Sequence, residues 1–156
     1  MKNLAIIPAR GGSKRIPRKN IKDFLGKPIM VYSIEAALES KLFDEVMVST
    51  DDEEIAEVAR KYGTKLPFMR SEESSNDYAG LTDVCIEVVK YYESHGMNFN
   101  AVCCILSTAP FVSSEKIITA KKSGAIILNY LETQDIDTET DWKLAELKYK
   151  IMTQEG

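Results

Sequence analysis

The sequence predicts an α/β fold, a mainly parallel β-sheet with helices on both faces. Three observations predict it. Short apolar runs alternate with amphipathic stretches from end to end. The amphipathic stretches repeat apolar residues at helical spacing. The polar segments richest in chemistry follow the apolar runs, at the carboxyl ends of strands, where open parallel sheets bind ligands.

The first strand is expected at 3–8, around the run Leu4 to Ile7. A helix follows at 28–40, where Ile29, Tyr32, Ser33, Ala36, Ala37 and Ser40 make one compact face. Strand 45–49 and helix 53–62 come next, then a short strand at 65–68 and a helix at 81–94. A strand at 101–106 carries Cys103 and Cys104, and a helix is expected at 115–120. The last pair is a strand at 125–129 and a helix at 140–151, lined by Trp142, Ala145, Leu147 and Tyr149. There is no internal repeat and no low-complexity segment.

A chain of 156 residues is one domain by length, with enough chain for a single substantial core. Its 44% apolar and 28% charged residues are those of an ordinary globular protein. No apolar run approaches the roughly 20 residues of a membrane span. The N-terminus lacks a secretory signal, so a cytoplasmic location is expected, with neither membrane nor nucleic acid as partner. The odd count of cysteines (Cys85, Cys103, Cys104) reads as reduced thiols. His95 is the only histidine and sits in a helix-end or loop context, which leaves histidine-rich zinc sites and Ser-His-Asp catalysis poorly supported.

The first strand runs into a loop with two glycines, Gly11 and Gly12, and six cations: Arg10, Lys14, Arg15, Arg18, Lys19 and Lys22. The loop contains no acid, although the chain's net charge is -4. That contrast suggests a partner with several negative charges close together. The glycines let backbone N–H groups approach it, and a triphosphate suits this chemistry better than a carboxylate. Neither G-x-x-x-x-G-K-[ST] nor G-x-G-x-x-G is present.

Pro8-Ala9-Arg10-Gly11-Gly12-Ser13-Lys14-Arg15-Ile16-Pro17-Arg18-Lys19-Asn20 resembles the N-terminal motif of the acylneuraminate cytidylyltransferases. So, in the family's order, do Val48-Ser49-Thr50-Asp51-Asp52, Phe68-Met69-Arg70, Ser107-Thr108-Ala109-Pro110 and Asp135-Ile136-Asp137-Thr138. Within the family the chain is most similar to the pseudaminic acid branch, in 2–7 and in 103–110. The resemblance implies a Rossmann-like nucleotide-diphospho-sugar transferase fold. It covers nearly all of the chain, as a single domain 1–156, but family members carry several tens of extra residues between about 120 and 122. That absent region normally supplies further strands, the arm of a homodimer and many sugar contacts.

The resemblance also implies the site. Ala9, Arg10, Gly11, Gly12, Ser13, Lys14, Lys19 and Asn20 would bind the nucleotide, with Arg10, Lys14 and Lys19 stabilising charge on the departing pyrophosphate. Arg15 and Arg18 are weaker candidates. Arg70 would recognise the cytidine, with Ala79 and Gly80 lining the base pocket; Ser71 stands where the family usually has proline. Read as a surface residue instead, Arg70 would sit near Glu72 and Glu73. Thr108 is the candidate sugar contact. Sialic acid enzymes tend to have glutamine and proline at Leu106 and Ser107, so this pair favours pseudaminic or another deoxy sugar acid.

Asp135 and Asp137, two apart on an extended segment, put both carboxylates on one side with Ile136 facing the core. The pair matches the family's Mg²⁺ site. Asp137 or Thr138 could alternatively cap the next helix, and Asp141 reads as a first-turn carboxylate. The expected activity is CMP transfer from CTP to a nine-carbon nonulosonic acid, releasing pyrophosphate, with Mg²⁺ orienting the phosphates and lowering the pKa of the attacking hydroxyl. Two other readings stand beside it. One is a non-catalytic nucleotide-binding module that has lost its sugar site. The other is a Kdo cytidylyltransferase, against which Lys19-Asn20 speaks, because that group usually has Lys-Pro there.

Overall fold

The computed structural model of the protein describes residues 1–123, 132 and 134–154. Strand β1 (Asn3–Pro8) buries Leu4, Ala5, Ile6 and Ile7 completely, as a strand covered on both faces must. After the basic loop, a 3-10 turn at Lys19–Ile21 leads to a small antiparallel hairpin of β2 (Asp23–Phe24) and β3 (Lys27–Pro28). Its turn residues Leu25 and Gly26 both have positive φ, 53° and 105°, the conformation that closes tight hairpins. Pro28 then fixes the chain's entry into α1 (Ile29–Ser40), which ends at a left-handed Lys41 with φ 54°.

Strand β4 (Glu45–Ser49) precedes α2 (Glu53–Lys61). Asp52 caps that helix by accepting from the Ile55 amide at 3.1 Å, with Glu53 and Glu54 in the first turn and Arg60 and Lys61 in the last. A single turn, α3 (Glu72–Ser75), is followed by α4 (Leu81–Ser94), then β5 (Ala101–Cys104), α5 (Ser114–Ser123) and α6 (Glu139–Gln154).

The central sheet is parallel, in the order β4-β1-β5, with Ile6 paired to Met47 on one side and Cys104 on the other. Alternation along the strands builds two layers. Ala5, Ile7, Val46 and Val48 face Met30, Ile34 and Ala37 of α1, Ile55 and Ala59 of α2 and Ile117 of α5. Leu4, Ile6 and Met47 face Val88 and Tyr92 of α4. A third cluster packs Phe24 edge-on against Tyr32, Trp142 and Tyr149, with centroids 5.5, 5.6 and 5.8 Å apart. It also contains Ile16 and Ile136, so it ties α6 and the 134–138 segment to the N-terminal loop. The expected helices on both faces are present.

Several sequence expectations are corrected. The strand expected at 65–68 is a single bridge, Met47 to Lys65, closed by Lys65 N–H to Val46 O at 2.9 Å and Val48 N–H to Lys65 O at 3.1 Å. Pro67 lacks an amide hydrogen and cannot extend the ladder. The strand expected at 101–106 ends at Cys104, although Ile105 still donates to Ile6 O at 2.9 Å. Helix α1 has no single face: nine of its twelve residues are buried. On α6, Trp142 and Ala145 are buried and Tyr149 packs with them as expected, but Leu147 is exposed and Lys148 is buried, since a step of five from Trp142 turns a side chain away. The strand expected at 125–129 lies outside the described residues. Among the described residues no helix is long and apolar enough to cross a membrane.

Candidate nucleotide and metal site

The N-terminal loop leaves the carboxyl edge of the sheet between β1 and β4. Ala9 is buried and donates to Ser49 O at 2.9 Å, which carries the β1–β4 pairing one residue into the loop. The Gly11 amide donates to Asp51 Oδ1 at 2.8 Å, so it is engaged within the protein. A Cβ on Gly11 would lie 2.7 Å from Asp52 Oδ2 and 2.9 Å from Asp52 Cβ, whereas one on Gly12 would meet nothing. Only Gly11 is demanded by close approach. Its close neighbour is the cap of α2.

All six cations of the loop have acidic partners from elsewhere in the chain. Arg10 Nη1 donates to Asp77 Oδ1 at 3.1 Å, and Lys14 Nζ to Asp77 Oδ2 at 2.5 Å. Lys14 first, then Arg10, hold the Asp77 carboxyl below the usual carboxylate range. Arg15 pairs with Asp137 at 3.2 Å. Lys19 Nζ donates to Ile136 O at 2.6 Å and lies 3.9 Å from Asp137. Lys22 binds Glu139 at 2.7 Å and sits over the Trp142 ring. Arg18 forks onto both Asp52 oxygens and reaches Glu54. Its hydrogen bond depresses the Asp52 pKa and raises its own. The loop's local excess of positive charge is therefore balanced in space, and Arg18 is committed to the start of α2 rather than to solvent.

Asn20, also buried, ties two segments together. Its Nδ2 donates to Arg10 O at 2.9 Å, and its Oδ1 accepts from Ser107 Oγ at 2.7 Å. Proline, usual in sialic acid enzymes at this position, has no hydroxyl to donate. Ser107 is a functional candidate that pattern reading treated only as a departure.

Arg70 is not a surface residue. Only 8% exposed, it donates through Nε to Ser49 Oγ at 2.9 Å and through Nη2 to Ser49 O, while its own amide donates to Thr50 O at 2.8 Å. Burial pulls its pKa down, and Asp51 and Glu87 push it back. Ala79 and Gly80 lie in the turn entering α4; Asn76 Oδ1 accepts from the Ala79 amide at 3.0 Å, and Asp83 from Gly80 at 2.8 Å. Ser13 lies in the loop, its amide bonded to Gly11 O at 2.9 Å.

The alternation expected at 135–137 is present. Ile136 is 3% exposed in the aromatic cluster, with Asp135 exposed and Asp137 half-buried. The two carboxylates have different surroundings. Asp137 meets Arg15 and Lys19, while Asp135 joins Thr108 and Leu106 around a largely apolar cavity of about 750 Å³ beside β5. Thr138 is the residue that caps α6: its Oγ1 accepts from Asp141 N at 3.2 Å, and Asp141 Oδ2 accepts from Thr138 N at 2.8 Å. Asp141 is thus a first-turn carboxylate, and neither Asp135 nor Asp137 is used up as the cap. Two hard oxygen donors suit Mg²⁺, which takes one or two carboxylates plus phosphate oxygens and waters. Among the described residues no group of three or more His, Cys, Asp or Glu is arranged to hold a metal.

Residues 4–145 match the model of the cytidylyltransferase family. The chain belongs to that family. It is 57% identical over 115 residues to a pseudaminic acid cytidylyltransferase of Campylobacter jejuni, a stretch covering 74% of this chain and 50% of the relative. It is 39% identical over 117 residues to a CMP-N,N'-diacetyllegionaminic acid synthase of Legionella pneumophila, covering 75% and 50%. Among solved structures, a CMP:2-keto-3-deoxy-manno-octonic acid synthetase complexed with CTP superposes with a TM-score of 0.63 at 27% identity, covering 81% of this chain and 50% of that one. The chain spans about half the length of these relatives.

Proposed function

We propose that the chain is a cytidylyltransferase that transfers CMP from CTP to a nonulosonic acid, pseudaminic acid before sialic acid, with release of pyrophosphate. The observation that carries the reading is the convergence of Arg10 and Lys14 on one point, at the carboxyl end of a parallel sheet, within bonding distance of a single anionic group. Two cations so held can cradle the β- and γ-phosphates and stabilise charge as pyrophosphate departs. Lys19, anchored through one of its three donors to Ile136 O, has two left for phosphate oxygens. Arg70, fixed against Ser49, would read a cytosine edge, and Ala79 and Gly80, in the turn entering α4, would line the base pocket. Ser13 and Gly12 complete the cradle. Thr108 and the cavity beside β5 receive the sugar acid, and Leu106 there offers no amide to bond a hydroxyl.

Mg²⁺ on Asp135 and Asp137, when bound, would supply a Lewis acid for the phosphates. The chain's own part is to release Asp137 from Arg15 and to present both carboxylates from a segment that Ile136 anchors. The reading takes 1–156 as one domain, without the family's middle region, acting in the cytoplasm where CTP is made.

A non-catalytic nucleotide-binding module is the second reading, motivated by the absence, between about 120 and 122, of the family's middle region with many of its sugar contacts. Pyrophosphate release with CTP, Mg²⁺ and a panel of nonulosonic acids tests the two. Release dependent on pseudaminic acid supports the enzyme; CTP binding with no release under any acid supports the module.

A further inference from the structure

We propose that Asp77 sets how tightly the site holds the pyrophosphate end of its ligand, by occupying Arg10 and Lys14 whenever that end is absent. This rests on the nucleotide reading above. Its observation is one carboxylate shared oxygen by oxygen between two cations, Oδ1 with Arg10 at 3.1 Å and Oδ2 with Lys14 at 2.5 Å. A phosphate bridging those cations through two of its oxygens would make the same charge-assisted contacts. Ligand and Asp77 therefore compete for the same donors.

The carboxylate is built to lose that competition. Asp77 is 52% exposed, and its partners are 41% and 78% exposed, a setting in which ion pairs are weak. The turn that carries it is held by its neighbour instead. Asn76 Oδ1 accepts from the Tyr78 and Ala79 amides at 2.8 and 3.0 Å, and Asn76 Nδ2 donates to Glu73 O at 2.8 Å. Asp77 can swing away without unmaking the entry to α4. A β,γ-diphosphate brings more negative charge than one carboxylate and displaces it. Once pyrophosphate has gone, the carboxylate returns. Asp77 thus lowers affinity for CTP and pyrophosphate and leaves the CMP portion untouched, which separates the hold on the leaving group from the hold on the nucleotide.

Calorimetry of the full chain with CTP, pyrophosphate and CMP tests this, comparing wild type with Asp77→Asn and Asp77→Ala. Glu73→Gln, an exposed neighbour making the same charge change, is the control, and melting temperatures establish that each variant is folded. Both Asp77 variants should bind CTP and pyrophosphate about three- to tenfold tighter, the size expected from losing two exposed ion pairs. CMP affinity should not move, and Glu73→Gln should match wild type. Equal or weaker pyrophosphate binding in folded Asp77 variants of a chain that binds CTP overturns the role of Asp77 alone. A matching gain for CMP, or in Glu73→Gln, does the same by reducing the effect to net charge. If no variant binds CTP or pyrophosphate, the nucleotide reading itself fails.

Discussion

Lys19 has two employments, and a substitution separates them. Its ammonium holds Ile136 O at 2.6 Å from a side chain that is 21% exposed, and in the proposed complex it also meets phosphate. Lys19→Ala should weaken CTP binding by about 1.5–3 kcal/mol, the worth of a charged hydrogen bond, and lower the melting temperature slightly. Unchanged CTP affinity by calorimetry would remove Lys19 from the phosphate site. Arg70→Ala should instead erode discrimination between CTP and UTP, because the guanidinium is fixed against Ser49 and cannot be replaced by a mobile neighbour. Equal CTP/UTP selectivity before and after would dismiss it as base reader. For Asp137, the capping done by Thr138 clears the ground: Asp137→Asn disturbs no cap, so its melting temperature should stay close to wild type. A metal role predicts lost turnover and a raised Mg²⁺ requirement. Normal turnover at limiting Mg²⁺ would count against it.

At the scale of elements, α2 is where the loop is fastened. Asp52 caps the helix and takes both arms of Arg18, and that hydrogen bond, with the Ile55 amide behind it, lowers its pKa. A carboxyl depressed in the folded state contributes stability that is full above its unfolded value, about 3.9, and is lost as pH falls through its folded value. Asp52→Asn keeps the cap and removes the charge pair. The variant should be less stable than wild type at neutral pH, by about 1 kcal/mol, and the gap should close as pH drops below about 4. A gap constant with pH would show that the pair contributes nothing through its charge. The same elements show what a sequence discloses. Strands β1 and β4 and helix α4 are readable to the residue because burial imposes an uninterrupted apolar run or a sustained helical period. The β2–β3 hairpin has two residues per strand and closes through a left-handed Leu25, which no periodicity announces. The loop's cations were legible, but their partners were not: Asp77 lies 63 residues from Lys14 and Ile136 lies 117 from Lys19, and spacing rules reach only one or two helical turns.

For the molecule as a whole, the proposed site draws on two bodies of packing. Arg10, Lys14 and Arg70 lie in segments next to the sheet, whose core is closed by α1, α2, α4 and α5. Asp137 comes from the segment before α6, which Ile136 pins to the cluster of Phe24, Tyr32, Trp142 and Tyr149. Trp142, 3% exposed, is one of the α6 residues that pack on Phe24 at the centre of that cluster. Trp142→Ala should cost about 3–5 kcal/mol of stability, as a large buried aromatic does. Well below the melting transition it should leave the sheet side of the site standing. CTP affinity should then change only a few-fold, while turnover falls far more, because the carboxylate segment is no longer pinned beside the loop. A milder Trp142→Phe should recover most of both stability and turnover. If CTP binding is lost in step with turnover in a folded Trp142→Ala protein, the two sides of the site are not separable, and α6 must be counted as part of the nucleotide cradle itself.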